Sequence, residues 1–281
     1  MRKSGRSILL FVLFSLLAIG AITFLFTIFP AVSGSLEEAL FEEEIRDIHV
    51  SAEHADVTLL SSQNEKTKVE LDGNNGKHQL LTTLQDTQLT IEVISSSSFF
   101  NFSSLDPAVL TIHVPKSNSR NLKVHSDNGD LDFSTVEAYD LSAYTANGEI
   151  GLENVYAKFA SVETANGQVS LNGVEAQGVD AVSSNGNIHL KNINAYVKLT
   201  ADTSNGSIDL LTSDLVYPIE FKTSNGDITI QTENKPAQGS FESTAINGQI
   251  DIFGDSSEMI KLEDEFPLIK ASSENGNILV E

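Results

Sequence analysis

From Leu122 onward, apolar and polar positions return in blocks of about twenty residues. Each block is centred on an Asn-Gly pair: Asn128-Gly129, Asn147-Gly148, Asn166-Gly167, Asn185-Gly186, Asn205-Gly206, Asn225-Gly226, Asn247-Gly248 and Asn275-Gly276. The steps between copies are 19, 19, 19, 20, 20, 22 and 28 residues. Six and four residues before each Asn stand mostly apolar residues, as in Leu122/Val124, Leu141/Ala143 and Ile219/Phe221. Three and five after it the positions are apolar throughout, from Leu131/Phe133 to Ile278/Val280. Two before it come Ser126, Thr145, Thr164, Ser183, Thr203, Thr223, Ala245 and Ser273. Apolar residues two apart on either side of a turn predict two short strands with one buried face. One such coil cannot bury that face alone, and a stack of them can.

The columns match between copies in type and size, as stacking demands and separate hairpins do not. The expected fold is therefore all-β: a parallel β-solenoid with about 19–20 residues per coil. Parallel crossovers are overwhelmingly right-handed, so a right-handed β-helix is expected. Asn-Gly is expected to turn each corner because both residues tolerate positive φ. The stacked Asn side chains predict an amide ladder, and the Ser/Thr column a parallel hydroxyl ladder. A further apolar column, Val136, Val155, Val174 and Ile193, lapses at Ser213 and Glu233 and predicts a third short side in the early coils.

The solenoid is assigned to residues 119–281, and residues 46–118 to an N-terminal β capping module. That module has strand-like pieces without the period, although Glu53-His54-Ala55-Asp56-Val57 reads as a decayed corner. Asn75-Gly76 predicts an ordinary hairpin there. Residues 95–102 set Phe99, Phe100 and Phe102 beside a serine run, as a cover for an open core end or a partner or membrane contact. A second insertion, 254–267, accounts for the longest step and carries Met259, Ile260, Leu262 and Phe266 to cover the last coils. The chain then stops at Glu281 in a predicted strand, an end that needs such a cover.

Ahead of these, residues 1–7 carry Arg2, Lys3 and Arg6, and residues 8–29 are almost wholly apolar. A helix of that length rises about 33 Å, enough for a hydrocarbon core of about 30 Å. The reading is a transmembrane helix with a cytoplasmic N-terminus and everything beyond it outside the cell membrane. Ala31-Val32-Ser33 leaves a cleaved signal as the alternative. Residues 30–45 form an acidic spacer, with room for one or two helical turns.

Charge narrows the partners. The chain has 17 basic and 39 acidic side chains, a net charge of −22. Without Arg2, Lys3 and Arg6 the exported part has 14 against 39, or −25. Such a surface repels nucleic acid and anionic headgroups. It also keeps β edges soluble. With no Cys, disulfides and thiolate-held zinc are excluded.

Catalytic chemistry finds little support. β-Helices that cleave polysaccharides place paired carboxylates on an outer face. The outward column two after each Asn offers one adjacent pair, Asp130 and Glu149, and the isolated Asp227, with no basic cluster. The histidines, at 49, 54, 78, 113, 125 and 189, lack ligand spacing. No catalytic, cofactor-binding or metal-binding residue is assigned, and no cofactor is expected.

The apolar N-terminal segment, Ala55-Asp56-Val57-Thr58-Leu59, the run Leu110-Thr111-Ile112-His113-Val114-Pro115 leading into Leu122-Lys123-Val124, and the Asn-Gly repeats resemble the putative-adhesin β-strand-repeat family. Within it they look like the LiaG-like membrane-anchored proteins of Gram-positive bacteria. The resemblance implies an exported β-helical domain, often tied to envelope stress, and carries no catalytic motif. The expected function is binding or scaffolding at the cell envelope, to a protein or polymer, and not catalysis. The alternatives are an accessory sensor for a membrane partner and a cell-wall polysaccharide hydrolase or lyase.

Overall fold

The computed structural model describes residues 37–62, 64–73, 78–95, 108–116 and 120–281. The expected span at 8–29, the segment Ala31-Val32-Ser33, the Asn75-Gly76 corner and the aromatics at 99–102 lie outside the described residues. Among the described residues, no helix is long and apolar enough to cross a membrane.

Seven strands precede the repeats: β1 (Glu37–Phe41), β2 (Asp47–Ala52), β3 (Ala55–Ser62), β4 (Thr67–Asp72), β5 (His78–Gln85), β6 (Gln88–Ser95) and β7 (Ala108–Pro115). Each corner then joins two strands. The first three pairs are β8 (Asn121–Ser126) with β9 (Leu131–Ser134), β10 (Glu137–Thr145) with β11 (Ile150–Glu153), and β12 (Tyr156–Thr164) with β13 (Val169–Asn172). Next come β14 (Glu175–Ser183) with β15 (Ile188–Lys191), β16 (Asn194–Thr203) with β17 (Ile208–Thr212), and β18 (Ile219–Asn225) with β19 (Ile228–Thr232). Last are β20 (Ser240–Ala245) with β21 (Ile250–Ile252), the lone β22 (Met259–Lys261), and β23 (Leu268–Asn275) with β24 (Ile278–Val280).

From β7 to β21, alternate strands enter two sheets. Sheet I runs β1-β4-β7-β3-β9-β11-β13-β15-β17-β19-β24-β21, and sheet II runs β22-β20-β23-β18-β16-β14-β12-β10-β8-β2-β6-β5. Consecutive coils pair in parallel with their columns in register: Ile150 lies between Leu131 and Val169, and Leu141 between Leu122 and Ala160. The inward columns of both sheets are buried, with Leu131, Ile150, Val169, Ile188, Ile208 and Ile228 fully enclosed. Burial of such columns is the main force holding coil on coil, at about 1.5–3 kcal/mol per large aliphatic side chain.

The corners do not turn as expected. None of the eight repeat Asn-Gly corners, all among the described residues, uses a positive φ. Glycine is required there because successive corners nearly touch. A Cβ at Gly167 would stand 1.8 Å from the carbonyl oxygen of Gly148, and the other repeat corners are as tight. Left-handed backbone belongs instead to the second corner of the coil, at Thr135 (φ 55), Asn154 (φ 52), Gly173 (φ 66) and Asn192 (φ 52). Asn and Gly tolerate that conformation, and Thr135 is held there by its neighbours.

No separate third side forms. Val136 and Ala138 point inward, Tyr139 and Asp140 both face out, and Leu141 turns in again. The extra apolar column therefore seals the second corner, and the long strand bends just beyond it.

Both ends of the stack are woven. The β2–β3 coil sits between β8–β9 and the later β6–β7, while β23–β24 inserts between β18–β19 and the earlier β20–β21. The chain's last strand is thus interior, which removes the exposed end expected at Glu281. The 254–267 segment instead covers β20, through antiparallel β22 and the bond from Ser240 N to Pro267 O at 2.9 Å.

Residues 46–118 and 119–281 share both sheets. The segment read as a spacer supplies β1, an antiparallel edge strand on β4 with Ala39 and Phe41 packed against the core. β4 and β5 lie in different sheets and do not pair with each other. The buried Arg120 pins this end, donating from Nε to Ile45 O at 2.9 Å and from a terminal nitrogen to Pro115 O at 2.8 Å. Burial lowers its pKa, yet an arginine stays charged there.

Candidate functional site

The repeated polar columns are consumed by the fold. Asn147 Nδ2 donates to Asn128 Oδ1 at 2.9 Å, and the ladder continues through Asn166, Asn185, Asn205, Asn225 and Asn275 to Asn247. Its other end meets His54, 3.1 Å from Asn128, so the decayed corner is a true coil of the stack. The hydroxyls form no ladder among themselves. Thr145 Oγ1 donates to Gly129 O at 2.9 Å, and Thr164, Ser183, Thr203, Thr223 and Ser273 repeat the bond one coil further on.

The outward acids have a similar duty. Asp130 Oδ1 accepts the Glu149 amide at 2.8 Å, Asp56 accepts the Asp130 amide at 3.0 Å, and Asp227 accepts the Asn277 amide at 2.6 Å. Asp132 stands beside this group, over Gly151. Partial loss of solvent, then Asp130, Asp56 and Glu149, push its carboxyl pKa up. Five of the histidines sit apart in small polar contacts: His49 with Gln88, His54 with Asn128, His113 with Glu70, His125 with Asp127, and His189 with Asp209. His78 is buried. Among the described residues no group of three or more His, Asp and Glu is placed to hold a metal ion.

The built surface lies elsewhere, on the outer face of sheet II where the long strands bend. A shallow groove of about 580 Å³ crosses β10, β12, β14 and β16, lined by Glu137, Tyr139, Tyr156, Lys158, Glu175, Gln177 and Tyr196. Its rings, Tyr139, Tyr156 and Tyr196, are open to solvent, and so is Phe159 beside it; all four are between 42% and 59% exposed. Lys158 Nζ lies 4.5 Å from the Tyr139 ring centre and 5.4 Å from that of Phe159. Cations over ring faces are attracted by the ring quadrupole, so Lys158 braces both rings. Phe159 lies along Gly178, where a Cβ would stand 3.2 Å from the ring.

Tyr196 follows Ala195 in the same row as Tyr139, Lys158 and Gln177, and β16 carries an extra residue just after it. Ala176 pairs with Ala195 but Gly178 with Lys198, a bulge that places Tyr196 and Val197 outward together. Bulges commonly re-aim side chains in this way. The Tyr196 hydroxyl donates to Glu175 and accepts from Asn194 Nδ2 at 3.2 Å. The carboxylate bond raises the phenol's pKa. Tyr139 and Tyr196 both stand eleven residues after the preceding Asn, but Lys158 and Gln177 separate them in that column and Tyr156 stands nine after its Asn, so the columns do not single the groove out.

With the corners and coils in view, the relatives can be placed. A family model, Toastrack DUF4097, matches residues 45–278. The chain belongs to the Toastrack DUF4097 family. Among solved structures, a putative adhesin from Bacteroides fragilis NCTC 9343 superposes with a TM-score of 0.56 at 17% identity, over 89% of this chain and 98% of that one. A putative adhesin and a putative lipid binding protein, both from Parabacteroides distasonis ATCC 8503, match with TM-scores of 0.41 and 0.40 at 9% and 15% identity, each over 88% of this chain and 97% of theirs. The Bacteroides likeness is one of fold. No curated protein matches the chain.

Proposed function

We propose that this Toastrack protein is an adhesin-like binding or scaffolding component of the cell envelope, held by a single transmembrane helix at residues 8–29. The N-terminus is cytoplasmic, the right-handed solenoid lies outside the membrane, and the protein is not an enzyme. Arg2, Lys3 and Arg6 ahead of the apolar stretch support the orientation. The adhesin name carried by the Bacteroides relative, the likeness to LiaG-like proteins and a part in envelope stress belong to the same proposal.

The observation that carries it is the aromatic groove on sheet II. Exposed rings cost solubility on a plain surface, and a cluster of them braced by Lys158 marks a contact site. The Asp130/Glu149 pair supports catalysis less well, because Asp130 already holds a corner amide.

Membrane fractionation, protoplast proteolysis and co-sedimentation with wall fragments test this reading. The expected outcome is membrane-bound protein that added protease digests from outside and that wall fragments retain. Protein free in the medium would overturn the anchor. Polymer cleavage lost in Asp130→Asn/Glu149→Gln would overturn the binding role in favour of a hydrolase or lyase.

A further inference from the structure

We propose that the groove on sheet II binds an uncharged glycan chain lying along the solenoid axis, across the strands. The inference rests on the binding reading and names its ligand class. Sugar rings offer an apolar C–H face edged by hydroxyls. The groove offers the counterpart: ring faces from Tyr139, Tyr156 and Tyr196, with polar groups of Glu137, Glu175 and Gln177 between them. In the register across coils, Glu137, Tyr156, Glu175 and Asn194 form one row and Tyr139, Lys158, Gln177 and Tyr196 the next, so hydrogen-bonding groups stand between rings along the axis. Tyrosine suits such a ligand because its face is apolar and its hydroxyl polar.

Other occupants fit less well. A peptide adding itself as a strand needs a free sheet edge, and β12 and β14 here are paired on both sides. A buried apolar anchor needs a deep pocket, and this groove is shallow, with Glu137, Lys158, Glu175 and Gln177 in its lining. Anionic polymers meet Glu137 and Glu175 on a chain of net charge −22, while Lys158 is engaged with two rings and Lys116 lies 4.0 Å from Glu137.

The geometry also sets a length. Four coils contribute, so the groove spans three coil-to-coil steps of about 4.8 Å, or about 14 Å in all. That accommodates about three sugar units in an extended chain, each advancing by a length comparable to the strand spacing of about 4.8 Å.

The chain contains five tyrosines and no tryptophan, and three of the tyrosines line the groove. Intrinsic tyrosine fluorescence of the full chain in nanodiscs therefore reports occupancy directly. It is titrated with neutral β-linked glucose and N-acetylglucosamine oligosaccharides of increasing length, and with amino-bearing and carboxylated analogues. The expected result is binding of a neutral series that strengthens up to about three or four units and then levels, following the groove length of about 14 Å. Tyr139→Ala with Tyr156→Ala weakens it by at least on the order of tenfold. Tyr156→Phe keeps most of the affinity, and Tyr144→Ala, outside the groove, leaves it unchanged. Circular dichroism and thermal melting confirm that each variant is folded. Lack of binding by every neutral series overturns the proposal, as does a preference for charged analogues or equal affinity in the double variant. If wall fragments still retain the double variant, the glycan groove fails while the broader binding role stands. If they retain neither protein, the binding role itself fails.

Discussion

Gly167 shows how one absent side chain sets the pitch of the stack. Its missing Cβ would collide with the Gly148 carbonyl at 1.8 Å, and backbone cannot yield there. Gly167→Ala should therefore destabilise at or beyond the upper end of the range of about 1–3 kcal/mol usual for overpacking. Gly151→Ala meets only the flexible Asp132 carboxylate and should cost much less; paired denaturant melts compare the two. Tyr217 makes the clearest pH prediction. It is buried, donates to Ile193 O, and has its pKa pushed up by burial to about 12 from an ordinary 10.0. The folded state holds the phenol proton more tightly, so this contribution is whole below the unfolded pKa and is lost as pH rises from 10.0 toward about 12. The loss should approach about 2–3 kcal/mol, and Tyr217→Phe should flatten the alkaline fall in unfolding midpoint.

At the scale of the coil, the stack is a set of interchangeable layers. Deleting residues 167–185 removes β13 and β14 and joins Asn166 to Gly186, restoring an Asn-Gly corner with every column in register. A shorter but cooperatively folded protein is expected, because repeat stability is approximately a sum over neighbours. Removing only ten residues from the same place would drive apolar positions outward and should abolish folding. Equal thermal midpoints for the two deletions would contradict the stacked layers. The long strands add something the short ones lack: their bend sets aromatic side chains into a shared groove.

Across the whole molecule, the woven ends change what truncation does. β20 and β21 pair only with β22, β23 and β24. Ending the chain at Gly254 thus removes an interior coil and leaves β20–β21 stranded. Limited proteolysis should then trim the shortened protein back toward Thr232, while the full chain resists. Resistance of the shortened chain would mean that β20–β21 can slide into the vacated place against β18–β19. A trace of this order is present in the columns. The copy around Asn247 has Ser243 and Ala245 where the Asn275 copy has Ala271 and Ser273. The Asn275 copy thus keeps the interior pattern, and Ser273 does donate to Gly226 O at 2.9 Å.

The Asn-Gly period by itself determined the parallel stack, the inward columns and the amide ladder, because each depends on one residue type recurring at one spacing. Three things were decided only in three dimensions. Whether the corner glycine serves positive φ or close approach depends on the distance to the coil below, which no single repeat encodes. The spatial order of the end coils depends on which layer best covers β18–β19, a competition between two nearly equivalent copies. The groove depends on a backbone bend that brings Tyr139, Tyr156 and Tyr196 together from three coils, Tyr156 from a column of its own. Periodicity records what each layer repeats; these residues are where the layers differ, and their meeting is a property of the folded surface.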